Sequence, residues 1–318
     1  MKARGLVTLL LAVIGACLAV ALLVVAKPSD IGALLRGTHP TGLAIAATWW
    51  LLVIALRGIR LSLVLGRPVT VAHGVAGSAA LQFAVGLLPM RLGELAIFPI
   101  LSRVGVPGKL RALSLAVLLR FLDAVALLVW AVGATAVVGV STLAAVLGLL
   151  ALSGLGVLGA VSATFWLRRK ANRWRKARDL RRRILRQALA VRRELRHRAR
   201  SPLRVIGVVA ASLGAWGGVW GLTVALLRAM DLNWSPAHVL LGVVGASIGA
   251  SLPINAIGNV GTLEGGWAAA LHIVGVPTAQ ALAAGFATHL FALAFTTALG
   301  VAALCYLALL PPSDAANR

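Results

Sequence analysis

Long apolar runs separated by short polar segments dominate the chain. A helical run of about 20 apolar residues crosses a hydrocarbon core roughly 30 Å thick. The pattern therefore predicts membrane-spanning helices rather than a soluble fold. The predicted full-length spans cover residues 6–26, 42–65, 111–139, 142–167, 205–229 and 279–309.

Two further apolar segments are shorter, and proline or glycine interrupts each of them. Arms of about 13–19 residues reach about 20–28 Å as helices, which is short for a crossing. We interpret them as re-entrant hairpins with buried tips, because irregular backbone survives at membrane depth only where protein or water satisfies its polar groups. Their arms and breaks are 70–88, Pro89 and 91–104 in the first hairpin, and 237–252, 253–261 and 263–275 in the second.

Residues 42–139 and 205–309 are related as an internal repeat. Glu94 and Glu264 stand 170 residues apart, and each comes 13 residues before the proline of a Val-Gly-Val-Pro tetrapeptide. Counting the crossings gives the two repeats opposite orientations, with the first hairpin opening from the cytoplasm and the second from outside. Inverted repeats with broken segments in matching positions are typical of transporters that bind substrate where the halves meet. We predict an all-α polytopic transmembrane bundle of two inverted repeats, each with a proline-broken re-entrant hairpin.

Composition agrees with a membrane protein. Of the 318 residues, 60% are hydrophobic and 12% are charged, whereas soluble domains are about 45–50% apolar. No stretch is polar enough to fold as a separate soluble domain. We therefore predict that residues 1–318 form a single integral membrane domain.

The formal charge of +23 would suggest nucleic acid if it were spread over the chain. However, 17 of the 31 Lys and Arg residues fall in 168–204, and no aromatic platform accompanies them, so we expect no nucleic-acid partner. A basic segment between apolar spans predicts a cytoplasmic loop. Apolar residues at helical spacing predict an amphipathic helix on anionic lipid headgroups, although a topology signal alone would look the same. These residues are Leu180, Ile184, Ala188, Val191 and Leu195.

The distribution of basic residues also predicts the orientation, because loops rich in Lys and Arg stay in the cytoplasm. We predict a multi-pass protein of the bacterial cytoplasmic (inner) membrane, with the N-terminus and residues 168–204 in the cytoplasm. The first run is longer than a usual signal-peptide core, so we interpret it as an uncleaved span. The residues used as cytoplasmic markers are Lys2, Arg4, Arg57, Arg60, Arg67, Arg103, Lys109 and Arg111.

Charged residues inside the apolar segments are the first candidates for function, because each costs roughly 2.5–3.5 kcal/mol to insert. Arg91 and Glu94 are three residues apart, and so are Arg120 and Asp123. Residues at this spacing share a helix face and can pair. Either the two pairs only fix helix packing, or the arginines bind an anionic headgroup while the acids hold them in place.

Glu264 has no cation within four residues, so its partner must come from another segment. We predict His289 or Arg120 as that partner; alternatively, Glu264 is protonated and carries a coupling proton, with His289 as a shuttle. Asn255 and Asn259 lie in the glycine-rich break, which is either an anion site at the next helix start or a simple turn. All eight of these residues are predicted to bind substrate, and no catalytic residue, metal or cofactor is expected.

At these motifs the chain resembles the lysylphosphatidylglycerol synthase transmembrane region, also called the flippase-like integral membrane family. The resemblance covers about residues 6–310 and implies a lipid flippase or another lipid-handling module. Family members fused to an aminoacyltransferase domain serve lysyl-phosphatidylglycerol; this chain is expected to act without that domain, so synthase activity is not implied. It departs from the family pattern at Gly258-Asn259 and at His289, where an arginine is expected. The matching motifs are Pro89-x-Arg91-x-Gly93-Glu94, Arg120-x-x-Asp123, and Pro253 followed by Glu264 and Gly275-Val276-Pro277.

The leading hypothesis is a transporter that moves an amphipathic lipid, anionic or aminoacylated, across the cytoplasmic membrane by alternating access. An alternative is a membrane partner that transports nothing and docks a lipid-modifying or cell-envelope enzyme through its basic segment. An intramembrane hydrolase is a third hypothesis, because Gly245-x-Ser247-x-Gly249 matches the nucleophile pattern G-x-S-x-G. That pattern needs a strand-to-helix turn, and small residues spaced for helix packing explain it better. We therefore expect no enzymatic activity.

Overall fold

The computed structural model describes residues 3–66, 69–104, 109–138, 201–252 and 256–309. Within these ranges the regular structure is helical and contains no strand, so the all-α prediction is confirmed. The predicted span 142–167, the amphipathic helix of the basic segment and Asn255 lie outside the described residues.

Ten α-helices occupy the described part of the chain, and the long ones coincide with the predicted spans. Four of them are long and apolar enough to cross a membrane, and a bent pair near the N-terminus would make a fifth span. The chain is therefore a multi-pass membrane protein. The helices are α1 (Ala3–Ala26), α2 (Pro28–Arg36), α3 (Pro40–Leu65), α4 (Val71–Leu87), α5 (Ile97–Arg103), α6 (Lys109–Val138), α7 (Pro202–Ala229), α8 (Pro236–Gly249), α9 (Thr262–Ile273) and α10 (Thr278–Leu309).

Two local features differ from the sequence interpretation. The polar stretch after the first span contains the helix α2, which bends by 70° from the end of α1. Pro28 in its first turn, Asp30 in the same turn and Arg36 in its last turn all favour a helix there. The return arm of the first hairpin starts as a 3₁₀ helix, Pro89–Ala96, before α5 begins.

Small residues let the central helices approach closely. α3 runs along α7, and a Cβ added to Gly42 would lie 2.4 Å from the Cβ of Ala229. At the other end of α3, a Cβ on Gly58 would lie 2.4 Å from the Cα of Val75 in α4. Close contact between small residues is a common way to pack helices in a bilayer, where lipid competes for apolar surface.

The two repeats contact each other in a reciprocal way. α4 of the first hairpin packs against α10 of the second repeat, and α8 of the second hairpin packs against α6 of the first repeat. One arm of each hairpin therefore packs against the long helix of the other half. The opposite orientation of the two halves across the bilayer stays a prediction.

Candidate functional site

The breaks of the two hairpins meet at a partly buried contact. Pro89 has no N–H, and it holds Leu88 in an extended conformation at φ −80° and ψ 133°, so the carbonyl of Val85 loses its ordinary helical partner. The side-chain amide of Asn259, from the second hairpin, donates to that carbonyl over 3.1 Å. The carbonyl left without a helical partner in the first hairpin is thus hydrogen-bonded by a side chain from the break of the second hairpin.

The break of the second hairpin has the unusual backbone that its glycines predicted. Gly258, Asn259 and Gly261 have φ angles of 73°, 58° and 95°, a region that glycine and asparagine tolerate best. The N–H of Gly261, at the start of α9, donates to Oε2 of Glu264 over 2.6 Å. This N–H is therefore bound by the protein's own carboxylate. Whether the other N–H groups of the break form an anion site or only a turn stays a prediction.

Glu264 is the most deeply buried charged residue in the described part of the chain, with 0% of its surface exposed. Its Oε1 lies 2.5 Å from Nδ1 of His289 on α10, whose side chain is 9% exposed. The prediction of His289 as the partner is confirmed, and the alternative partner Arg120 is wrong. Both carboxylate oxygens have a partner, which is the condition for keeping an ionisable group away from water.

A second pair occupies the equivalent place in the first repeat. Nη2 of Arg120 on α6 lies 3.1 Å from Oε1 of Glu94 in the 3₁₀ helix. The side chain of Arg120 is 54% exposed and that of Glu94 is 37% exposed. The predicted i, i+3 pair between Arg120 and Asp123 is therefore wrong. In both repeats, a glutamate near the hairpin break pairs with a basic residue 25 or 26 positions later on the long helix.

Asp123 pairs instead with a residue that the sequence interpretation assigned to the cytoplasmic surface. Arg60 is only 4% exposed, and its Nη1 and Nη2 donate to Oδ1 and Oδ2 of Asp123 over 2.6 and 3.4 Å. The use of Arg60 as a topology marker was wrong, because the side chain points between helices and not into a loop. Its position five residues before the end of an apolar span was the available signal.

The remaining predicted residues have separate outcomes. The backbone of Arg91 lies in the 3₁₀ helix, but its side chain is outside the described part of the structure, so its pairing with Glu94 stays a prediction. Asn259 joins the two hairpins. A substrate-binding role for any of the eight predicted residues also stays a prediction.

The described residues form two cavities with largely apolar walls, and one of them reaches the predicted site residues. A slot of about 280 Å³ ends at Glu264 and His289, and Ala19, Val20 and Leu23 of α1 form one side of it. A larger groove of about 790 Å³ lies between α3 and α7, where Trp49, Trp130, Trp220 and the glycines of α7 line it. Apolar clefts of this size with a few polar groups are typical of small-molecule and lipid sites.

Ser247 lies within α8, where its hydroxyl donates to the carbonyl of Val243 over 2.7 Å. The glycines around it serve packing: a Cβ on Gly245 would lie 2.3 Å from the carbonyl oxygen of Gly266, and one on Gly249 would lie 2.0 Å from that of Thr262. The interpretation of these small residues as a helix contact is confirmed.

The fold and the buried pairs define a multi-pass α-helical membrane domain built around two broken hairpins. The family model described as "Lysylphosphatidylglycerol synthase TM region" matches residues 7–300. The chain belongs to this family. No curated protein and no solved structure matches it.

Proposed function

We propose that the protein carries an amphipathic lipid, anionic or aminoacylated, across the cytoplasmic membrane of a bacterium by alternating access. The observation that supports this most is the meeting of the two hairpin breaks, where Asn259 binds the carbonyl of Val85. Broken segments that meet inside a membrane domain are the usual setting for a transport site. Membership of a lipid-related membrane family supports the same proposal.

The two glutamate pairs would act as the polar contacts on either side of this meeting point. The exposed pair of Glu94 and Arg120 offers a guanidinium to a headgroup, because a planar fork donates two hydrogen bonds to a phosphate or carboxylate. The buried pair of Glu264 and His289 is closed off, so it must be opened before a headgroup can reach it. A carrier that alternates needs one side open and one side closed at a time.

The cavities with apolar walls would hold the acyl chains while the headgroup crosses. The slot that ends at Glu264 opens beside α1, and the groove between α3 and α7 has aromatic and aliphatic walls. Acyl chains gain about 0.8 kcal/mol per buried CH₂ only relative to water. Exchange between a lipid-facing groove and the surrounding bilayer is therefore nearly neutral, as a carrier requires.

The proposal is tested with the full chain in vesicles that contain a fluorescent phosphatidylglycerol, by following the lipid's accessibility to an impermeant quencher. We expect Glu264→Gln and Arg120→Gln to slow movement at least tenfold. Ser247→Ala is the matched control, since the hydroxyl bonds only within its own helix, and it should leave the rate unchanged. Size-exclusion profiles establish that each variant is folded.

Equal quenching kinetics in protein vesicles and protein-free vesicles, with several headgroups tried, would reject the carrier. Deletion of residues 172–200 then examines the docking alternative. A docking subunit would lose a co-purifying enzyme after this deletion, whereas a carrier should keep part of its lipid movement.

A further inference from the structure

A row of buried N–H groups along α3 and α7 has no acceptor. Four side-chain nitrogens in the described part of the chain are buried without a hydrogen-bond partner, and every one of them is a donor. Buried polar groups are nearly always satisfied, so each such nitrogen needs an explanation. The four, which we name the donor row, are Trp50 Nε1, Arg57 Nε, Arg60 Nε and Trp216 Nε1.

The donor row is divided between two helices that pack against each other. Trp50, Arg57 and Arg60 are seven and three residues apart on α3, so they share one side of that helix. Trp216 approaches from α7, and its ring lies 5.9 Å from Cζ of Arg57. At 1.5 Å per residue, the three α3 positions extend over about 15 Å of the helix axis.

Charge is also unbalanced at this place. Arg57 lies within electrostatic reach of Arg60, Arg120 and Asp123. Asp123 is bound by Arg60, and Glu94 pairs with Arg120. Among the described side chains, three guanidinium groups therefore share two carboxylates, and the carboxylate within electrostatic reach of Arg57, that of Asp123, is already bound by Arg60. A buried cation that must share its counter-charge with a second cation is unfavourable in a membrane interior.

We propose that Arg57 and Trp216 bind a phosphate-class oxyanion between α3 and α7. One such anion supplies a negative charge for Arg57 and acceptor oxygens for the two adjacent donors of the row, Arg57 Nε and Trp216 Nε1. Its shape suits the guanidinium fork, which donates to two oxygens at once. Inside a membrane the source is the headgroup of a phospholipid, an identification that rests on the proposed carrier function; free phosphate from water has the same chemistry.

Binding is measured on the full chain in detergent, by the shift of its thermal unfolding midpoint with three probes: dihexanoyl phosphatidylglycerol, inorganic phosphate and dihexanoyl glycerol. We expect the phosphatidylglycerol to raise the midpoint and dihexanoyl glycerol, which lacks the phosphate, to leave it unchanged. A shift with inorganic phosphate alone at matched concentration would assign the site to the free anion. In either case the apparent Kd should weaken at least about tenfold in Arg57→Gln, as expected for loss of a charged hydrogen bond.

Two further variants separate binding from folding. Trp216→Phe keeps the ring over Arg57 and removes only the N–H, so it should weaken binding by a smaller factor while the unliganded midpoint stays close to that of the wild type. Arg36→Gln removes an exposed cation from α2 and should bind normally. The proposal is overturned if neither anion shifts the midpoint, or if Arg57→Gln responds like the wild type. Anion binding without lipid movement would instead reject the carrier function and keep the site.

Discussion

The two glutamate pairs repeat the same design in opposite surroundings. In the first repeat, Glu94 and Arg120 are 3.1 Å apart, and roughly half of the arginine side chain is exposed. In the second, Glu264 and His289 are 2.5 Å apart and almost fully buried. The same element pair, a hairpin break and the following long helix, thus forms one open contact and one closed contact.

The difference lies in what covers each pair. The second pair is enclosed by α1, which has no counterpart in the first repeat within the described residues, and a Cβ on Gly261 would lie 2.8 Å from the Cα of Ala19. The carboxylate of Glu264 also binds the start of its own helix. We therefore expect the buried pair to contribute more to the free energy of unfolding than the exposed pair, and the exposed pair to exchange partners more readily.

The largest expected effect comes from removing the buried carboxylate. Glu264→Ala leaves His289 and the N–H of Gly261 without their partner, so the free energy of unfolding should fall by about 3–5 kcal/mol. Titration with a denaturing detergent in mixed micelles measures it. A loss below that of the matching Glu94→Ala variant would contradict the distinction between the two pairs.

The second-largest loss of stability is expected from disturbing the close backbone contacts within each hairpin. A Cβ on Gly93 would lie 2.0 Å from the carbonyl oxygen of Ala84, and one on Gly249 would lie 2.0 Å from that of Thr262. Either Gly→Ala change should cost about 1–3 kcal/mol, since backbone on both sides must shift. Gly133→Ala is the control, because nothing lies within 4 Å of its added Cβ. If the two hairpin variants unfold like this control, the arms are not in close contact.

Loss of the hydrogen bond from Asn259 to the carbonyl of Val85 should lower stability by less, and the size of this loss should depend on Pro89. Asn259→Ala should cost about 1–2 kcal/mol, because the carbonyl of Val85 then has no donor. In a Pro89→Ala background, Leu88 can become helical and residue 89 regains an N–H for Val85. A double-mutant cycle should therefore show a lower cost of Asn259→Ala in that background. Strict additivity would mean that the proline does not create the need for Asn259.

The smallest effect on stability is expected at the exposed pair. Arg120→Gln should lower the free energy of unfolding by at most about 1 kcal/mol, since solvent-exposed ion pairs contribute little. The same detergent titration checks this value. A loss as large as that of Glu264→Ala would mean that the first pair is as much a part of the core as the second.

Helix positions were the part of the structure that the sequence predicted best. The predicted spans 42–65 and 279–309 differ by only a residue or two from α3 and α10, because the lengths of apolar runs and the prolines at their ends are local features. His289 was one of the two partners predicted for Glu264, since a buried acid with no nearby cation must pair with another segment. The short helix α2 was missed, although Pro28 and Asp30 are ordinary signals of a helix start.

Pairings across the bundle could not be read from sequence spacing. Arg60 and Asp123 are 63 residues apart, so only the packing of α3 against its neighbours shows that they meet. Arg120 and Asp123 have the spacing of an intrahelical pair, yet each finds a better-placed partner on another element. Spacing rules describe isolated helices, and tertiary contacts override them where a buried charge needs a partner.

The packing of α1 on the second hairpin has a practical consequence for preparing the protein. Leu22 would be 3.2 Å from a Cβ on Gly265, and Ala26 is fully buried. An expression vector that omits the first 26 residues, as though they were a secretion leader, would remove the α1 residues that form one side of the slot at Glu264. Purification tags placed at the C-terminus leave α1 unchanged.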